Sequence, residues 1–406
     1  MKISRPAKNA ICIGSLCSVS YLAVYVARNI LSAVTPQMIA QGYTEEYIGS
    51  ISSLYFICYA FGQLINGSIG DKIKAKYMIC TGLLGAGLTN VIFSKVTMLP
   101  TLAMIVYGLT GFFLSMIYGP MTKVVSENTE PLYTTRCSLG YTLASFLGSP
   151  SAGLLASILA WQTTFTVSST LLFFMAIIGF LFFSFYERRG LIKYGQYKAK
   201  AKGVGNVGVL IKHRIIKFSF IAIITGIVRT SVVFWLPTYI SQFLGFSPKA
   251  SAGIFTAATF IISLTTFVSV FTYERLGHDM DKNILVMFSS SAIFFTLTFF
   301  VRSPIPNIIF MILAIMSSNG AATMLYSKYC PSLRDTGMVS SATGFLDFLS
   351  YMAAAAANII FANAVSSIGW SNLILVWLAI IISGITVALP YGKIFKSKKN
   401  VEGDVQ

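Results

Sequence analysis

Charge is scarce in this chain. Only 11% of its 406 residues are Asp, Glu, Lys or Arg, against about 25% in a soluble domain, and just 13 of them are acidic. Histidine is rarer still: His213 and His278 are the only two, and both fall in predicted loops. With no nucleophile–base pair and no ATP-binding P-loop in the sequence, neither an enzyme nor an ATP-driven pump is expected. The six cysteines (Cys12, Cys17, Cys58, Cys80, Cys137, Cys330) contain no CxxC pair and lie mostly inside apolar runs. That spacing suits neither a disulfide framework nor a zinc site, so packed thiols are expected, with no metal and no cofactor.

What the chain has instead is apolar surface. Hydrophobic residues make up 55% of it, and the mean hydropathy is +0.74. A spanning helix needs about 20 mostly apolar residues, and runs of that length exclude a β-barrel, whose strands alternate and are about ten residues long. Windows between charged or Pro/Gly/Asn-rich breaks predict spans near 10–36, 46–70, 77–94, 99–122, 133–158, 162–186, 216–243, 250–273, 284–301, 305–327, 335–365 and 370–391. The expected fold is therefore an all-α membrane protein of twelve transmembrane helices. The first apolar run exceeds a signal-peptide h-region and leads straight into this pattern, so no cleavable leader is expected.

The 187–215 stretch is polar and basic, from Glu187 and Arg188 to Arg214, and divides the spans six and six. This predicts an N-terminal six-helix bundle over 1–186, a linker over 187–215 and a second bundle with a short tail over 216–406. Placing both termini, the linker and the even-numbered connections on one side collects 25 of the 30 basic residues there, and leaves Lys95, Lys249 and Arg302 on the other. That asymmetry is the positive-inside pattern and makes the basic side cytoplasmic. The net charge of +17 then reflects orientation in a bilayer, and no nucleic acid is implied.

Two basic residues remain, Arg28 and Arg229, inside the first and seventh spans. Each costs about 2.5–3.5 kcal/mol at mid-membrane and needs either an internal carboxylate or a ligand arriving from water. Their surroundings repeat. Both open the pattern R-x7-P-x-x-I-x-Q, 201 residues apart, through Pro36 to Gln41 and through Pro237 to Gln242. An internal repeat of six spans is a transporter architecture with a substrate site at the midplane.

Polar residues also recur at alternating spacings of four and three, which stacks them on one helical face. The first span carries Gly14, Ser18, Tyr21, Tyr25, Arg28, Ser32 and Thr35. The second carries Ser52, Tyr59, Gln63, Asn66 and Gly70; the fifth Ser138, Tyr141, Ser145, Ser149 and Ala152; the eleventh Ser340, Gly344, Asp347, Tyr351, Ala354 and Asn358. These faces are expected to line a shared cavity, or, at any single Ser or Gly, to serve helix packing. Asp347 is either a structural brace to one arginine or a proton or substrate site.

The loop carrying Gly67, Asp71, Lys72 and Lys76 resembles the major facilitator superfamily signature G-x-x-x-D-R/K-x-G-R/K-R/K, with Lys74 in place of its second glycine. The resemblance implies a gating charge brace at Asp71 and Lys72, with a degenerate counterpart at Glu274 and Arg275. More closely, Tyr21, Tyr25, Arg28, Pro36 and Gln41-Gly42-Tyr43, with Arg229, Trp235, Pro237, Thr238 and Tyr239, resemble the first and seventh spans of the organophosphate:phosphate antiporter family. The resemblance implies two bundles about a pseudo-twofold axis. It also implies that Arg28 and Arg229 bind phosphate with Tyr21 and Tyr25 beside them. Gln63 stands where family members place a lysine, Ser145 where they place a histidine, and Asp347 where some have glycine.

The expectation is an alternating-access carrier in the inner (cytoplasmic) membrane, a monomer, whose partners are the lipid bilayer and a small anion. The anion is a phosphate ester exchanged for inorganic phosphate, bound by Arg28, Arg229, Tyr21, Tyr25, Tyr59, Gln63, Ser145, Asp347 and Tyr351. Guanidinium suits that ligand because its planar fork binds an oxyanion bidentately and stays charged in apolar surroundings. Two alternatives stand beside it: a proton-coupled carrier of a carboxylate or sugar acid using Asp347, and a transporter-like sensor of sugar phosphate.

Overall fold

The computed structural model describes residues 5–70, 73–194, 207–333 and 338–389. Among them every regular element is a helix, as expected where no water is available to satisfy the backbone and each spanning segment must bond internally. The first half comprises α1 (Arg5–Ile39), α2 (Glu45–Gly70), α3 (Ala75–Val96), α4 (Pro100–Ser115), α5 (Tyr118–Asn128), α6 (Pro131–Ile158) and α7 (Trp161–Arg188). After the short α8 (Val207–Lys212), the second half comprises α9 (Ile215–Gly226), α10 (Val233–Gln242), α11 (Pro248–Ser263), α12 (Thr265–Arg275), α13 (Met280–Phe300), α14 (Pro304–Met324), α15 (Cys330–Ser332) and α16 (Val339–Ala388).

Ten of the described segments are long and apolar enough to cross a membrane. The twelve crossings follow from two further facts. At about 1.5 Å per residue, the 50 residues of α16 would run far beyond a hydrocarbon core of about 30 Å. Gly369 breaks the helix with φ 75° and ψ 169°, a backbone state open to glycine and strained for other residues, so α16 supplies two crossings. The fifth crossing is α6, whose apolar portion is only Phe146–Ile158. Its other end runs along α1.

α1 packs on α6 at close range. A Cβ on Gly148 would overlap the Cβ and backbone of Tyr25, and one on Gly14 would stand 2.6 Å from Cys137 Sγ. Small residues let membrane helices approach in this way. Much of the polar stripe of the first span is thereby spent on packing: Gly14 meets Cys137, Ser18 meets Gly140, and Thr35 bonds its own helix at Leu31 O. Large apolar side chains such as Phe174, Ile177 and Leu181 on α7 and Phe267 and Phe271 on α12 are exposed and face lipid.

Ion pairs mark the basic end of each half. Glu187, at the end of α7, accepts from Lys74 Nζ at 2.6 Å and Lys76 Nζ at 2.5 Å. Asp281, at the start of α13, accepts from Arg214 at 2.8 Å and Lys217 at 3.2 Å. Glu187 holds the ammonium of Lys74 above its ordinary range by hydrogen bond and charge. Each cluster ties helices within one half.

Hydrogen bonds between the halves lie elsewhere. Ser32 Oγ donates to Phe234 O at 2.7 Å and Asn358 Nδ2 to Ser52 Oγ at 2.8 Å. Gln242 Nε2 donates to Glu45 at 2.5 Å, and Ser366 donates to Glu46. The last two join the loop end of the first repeat to the second half, at the membrane end opposite Glu187 and Asp281.

Candidate functional site

Arg28 lies in the second half of α1. Arg229 lies in a π-helical turn, Ile227–Val232, that interrupts the seventh crossing between α9 and α10. A second such turn, Leu325–Tyr329, interrupts the tenth and carries Tyr326. Wide turns of this kind shift the phase of a helix and recur at functional sites. Here they turn Arg229 and Tyr326 toward one cavity of about 610 Å³ between the halves, within the ordinary range of small-molecule sites.

The two guanidiniums are held by rings. The guanidinium carbon of Arg28 is 4.9 Å from the ring centres of Tyr59 and Tyr351, 5.6 Å from Tyr25 and 5.8 Å from Phe56. That of Arg229 is 5.5 Å from Tyr326 and 6.0 Å from Tyr351. Tyr351 therefore touches both. Each such contact contributes about 0.5–2 kcal/mol, so four of them offset a cost of about 2.5–3.5 kcal/mol without any carboxylate. A ring stabilises the charge but leaves most N–H donors unused. Among the described residues neither arginine makes an ion pair or donates a hydrogen bond, and Nη2 of Arg229 is buried with no partner.

Asp347 lines the same cavity. Of the two alternatives for Asp347, the brace to an arginine is not formed: no Lys or Arg nitrogen among the described residues stands within 4.0 Å of its carboxylate. Arg28, Tyr118, Arg229 and Tyr326 line the cavity with it.

Of the site residues read from the sequence, Tyr21, Tyr25, Arg28, Tyr59, Gln63, Arg229, Asp347 and Tyr351 all line the cavity. The side chain of Ser145 lies outside the described residues, and its stripe neighbours Tyr141 and Ser149 do line it. Of the gating residues, Asp71 and Lys72 lie outside the described residues. Glu274 and Arg275 are exposed at the end of α12, at the other end of that helix from the cavity-lining Thr265 and Thr266, and Arg275 covers the Phe271 ring at 4.7 Å. The charge network that is visible after α2 centres on Glu187, which reads in the sequence as the first residue of the linker.

Sequence reasoning passed over the tenth crossing. Asn319, Thr323 and Tyr326 all face the cavity, and Asn319 Oδ1 is buried without a partner. Their spacings of four and three are the same signal that marks the first and eleventh spans. The repeat has a structural echo as well. Trp161 Nε1 donates to Gln41 Oε1 at 2.7 Å, and Trp370 Nε1 donates to Gln242 Oε1 at 2.9 Å. In each half, the glutamine closing the arginine helix is tied to a tryptophan that begins that half's last crossing.

The sequence pattern of the Major Facilitator Superfamily matches residues 17–358. The chain belongs to that superfamily. Its fold is that of a transporter: a crystal structure of a bacterial homologue of the human lysosomal transporter Spinster, inward-facing and occupied, superposes with a TM-score of 0.78, covering 95% of this chain and 97% of that one at 10% identity. Among curated proteins, the glycerol-3-phosphate transporter of Bacillus subtilis is 23% identical over 264 residues, 57% of this chain and 58% of its own length. The membrane sensor protein UhpC of Salmonella typhimurium is 30% identical over 94 residues, 23% of this chain and 21% of its own length. The matches thus span from about a fifth to somewhat over half of these relatives. These relatives are transporters or a membrane sensor rather than enzymes, and this superfamily chain is a multi-pass membrane protein.

Proposed function

We propose that this chain is a secondary carrier that exchanges a small organic phosphate ester for inorganic phosphate by alternating access. Arg28 and Arg229 together bind the phosphate group. One observation carries the reading: two guanidiniums line a single cavity, and among the described residues neither donates a hydrogen bond. The rings stabilise the two charges but leave the N–H donors unused, and an oxyanion entering between the halves supplies acceptors for them. Tyr21, Tyr25, Tyr59, Tyr351 and Gln63 then orient the ligand, and the basic side of the bundle faces the cytoplasm with both termini. The similarity to a glycerol-3-phosphate transporter supports a phosphate ester.

Exchange follows from charge. An empty site with a summed charge of +1, from two arginines and Asp347, reorients slowly across the bilayer, so the carrier returns loaded. Purified protein in liposomes loaded with inorganic phosphate should take up labelled glycerol 3-phosphate, and should not from phosphate-free liposomes. Uptake indifferent to internal phosphate would refute exchange.

The similarity to a membrane sensor supports a second reading, in which binding signals to a partner without flux. Ligand binding by the purified chain with no transport in liposomes selects it.

A further inference from the structure

The carboxylate of Asp347 has no place in a site built only for an anion. It stands in the same cavity as the two arginines, reduces the summed charge from +2 to +1, and is paired with neither of them. Resting on the phosphate-ester reading, we propose that the preferred ligand carries a primary ammonium group, received by Asp347 while Arg28 and Arg229 hold its phosphate.

Three observations converge on a cation at that position. First, the walls there are those of an ammonium site. Tyr326 and Tyr118 line the same cavity as Asp347. In a cavity that holds a carboxylate and several tyrosine rings, an ammonium is bound by the charge, with ring quadrupoles adding to it. Second, the spacing suits a short amino ester. Asp347 and Tyr351 are one turn apart on α16, about 6 Å along the axis, and Tyr351 is the ring that touches both guanidiniums. A phosphate and an amine joined through one oxygen and two carbons, with bonds of roughly 1.5 Å, span a comparable distance.

The third is charge balance. A phosphate monoester carries about −1.5 to −2 near neutral pH. In a site of +1, a plain ester leaves the occluded complex at about −0.5 to −1, whereas an amino ester brings it to between zero and about +0.5. A complex near neutrality crosses the low-dielectric midplane more readily than a charged one. The plain ester regains balance only if Asp347 takes up a proton, which gives the two cases opposite responses to pH.

The test compares ethanolamine phosphate with its isostere n-propyl phosphate by titration calorimetry on the full chain in nanodiscs at pH 7.5. The expected result is at least tenfold tighter binding of ethanolamine phosphate. Asp347→Asn should abolish that advantage, weakening ethanolamine phosphate at least tenfold and strengthening n-propyl phosphate. The wild-type comparison stands even if the variant does not fold. Equal affinity for the two esters, or an advantage that survives Asp347→Asn, overturns the inference and leaves the phosphate-ester reading intact. So does propyl phosphate binding that strengthens as the pH falls with no advantage for the amine, since Asp347 is then a proton site. Binding of neither ester overturns both.

Discussion

Arg28 and Tyr351 meet across the boundary between the two halves, guanidinium carbon to ring centre 4.9 Å. The same ring lies 6.0 Å from Arg229 and edge-on to Tyr59 at 5.0 Å. Removing it takes a cation–π partner from both arginines at once. Tyr351→Ala should weaken phosphate-ester binding about tenfold, consistent with two contacts of about 0.5–1 kcal/mol each, whereas Tyr351→Phe should stay within about threefold of wild type because the ring face is kept. Calorimetric titration of both variants checks this, and a large loss in the Phe variant would reassign the role to the hydroxyl.

The contacts of Glu45 with Gln242 and of Glu46 with Ser366 join the halves at one membrane end. Glu45→Ala combined with Glu46→Ala should therefore populate a state open at that end. Spin labels at the exposed positions Met98 and Lys249, one on each half, report it. Double electron–electron resonance should show a longer distance component in the double variant than in the parent. An unchanged distribution would mean that these bonds do not hold the end closed.

Gly148 has no space for a side chain against Tyr25. Gly148→Ala should force α1 and α6 apart at a cost of about 1–3 kcal/mol, seen as a lower melting temperature in detergent. Because Tyr25 flanks Arg28, ligand affinity should fall as well.

Glu187 bridges an exposed lysine, Lys74, and a buried one, Lys76, whose side chain is 10% exposed. Exposed pairs contribute little, but a buried ammonium left without its acceptor costs about 1–3 kcal/mol. Glu187→Gln should lower the melting temperature measurably. A further Lys76→Met exchange should restore most of the loss, and failure to do so would place the effect outside this pair.

The sequence and the folded chain agree where a residue breaks the rule of its surroundings. Arg28, Arg229 and Asp347 are conspicuous because charge inside an apolar run is costly, and all three line the cavity. Asn319, Thr323 and Tyr326 were illegible for the opposite reason: Asn, Thr and Tyr are ordinary in packed membrane helices, and only their spacing sets them apart. The stripe of the first span overreached, since small and polar residues serve close packing as well as cavities. Gly14 and Ser18 went to α6 and only the segment from Tyr21 to Ser32 reached the cavity. The π-helical turn at Arg229 is a shift in hydrogen-bond phase with no composition of its own. The glutamine of each repeat was visible, but its tryptophan partner lies about 120 residues on, beyond any local pattern.

In the proposed carrier, Arg28 and Arg229 jointly hold one anion between the halves. The measurement that bears on this most directly is phosphate-driven uptake of a labelled phosphate ester into liposomes by Arg28→Gln and Arg229→Gln, each shown by its melting profile to be folded. Either single change should lower uptake at least a hundredfold, and the double variant should be no worse than the singles. Near-wild-type exchange by either folded variant would contradict joint binding.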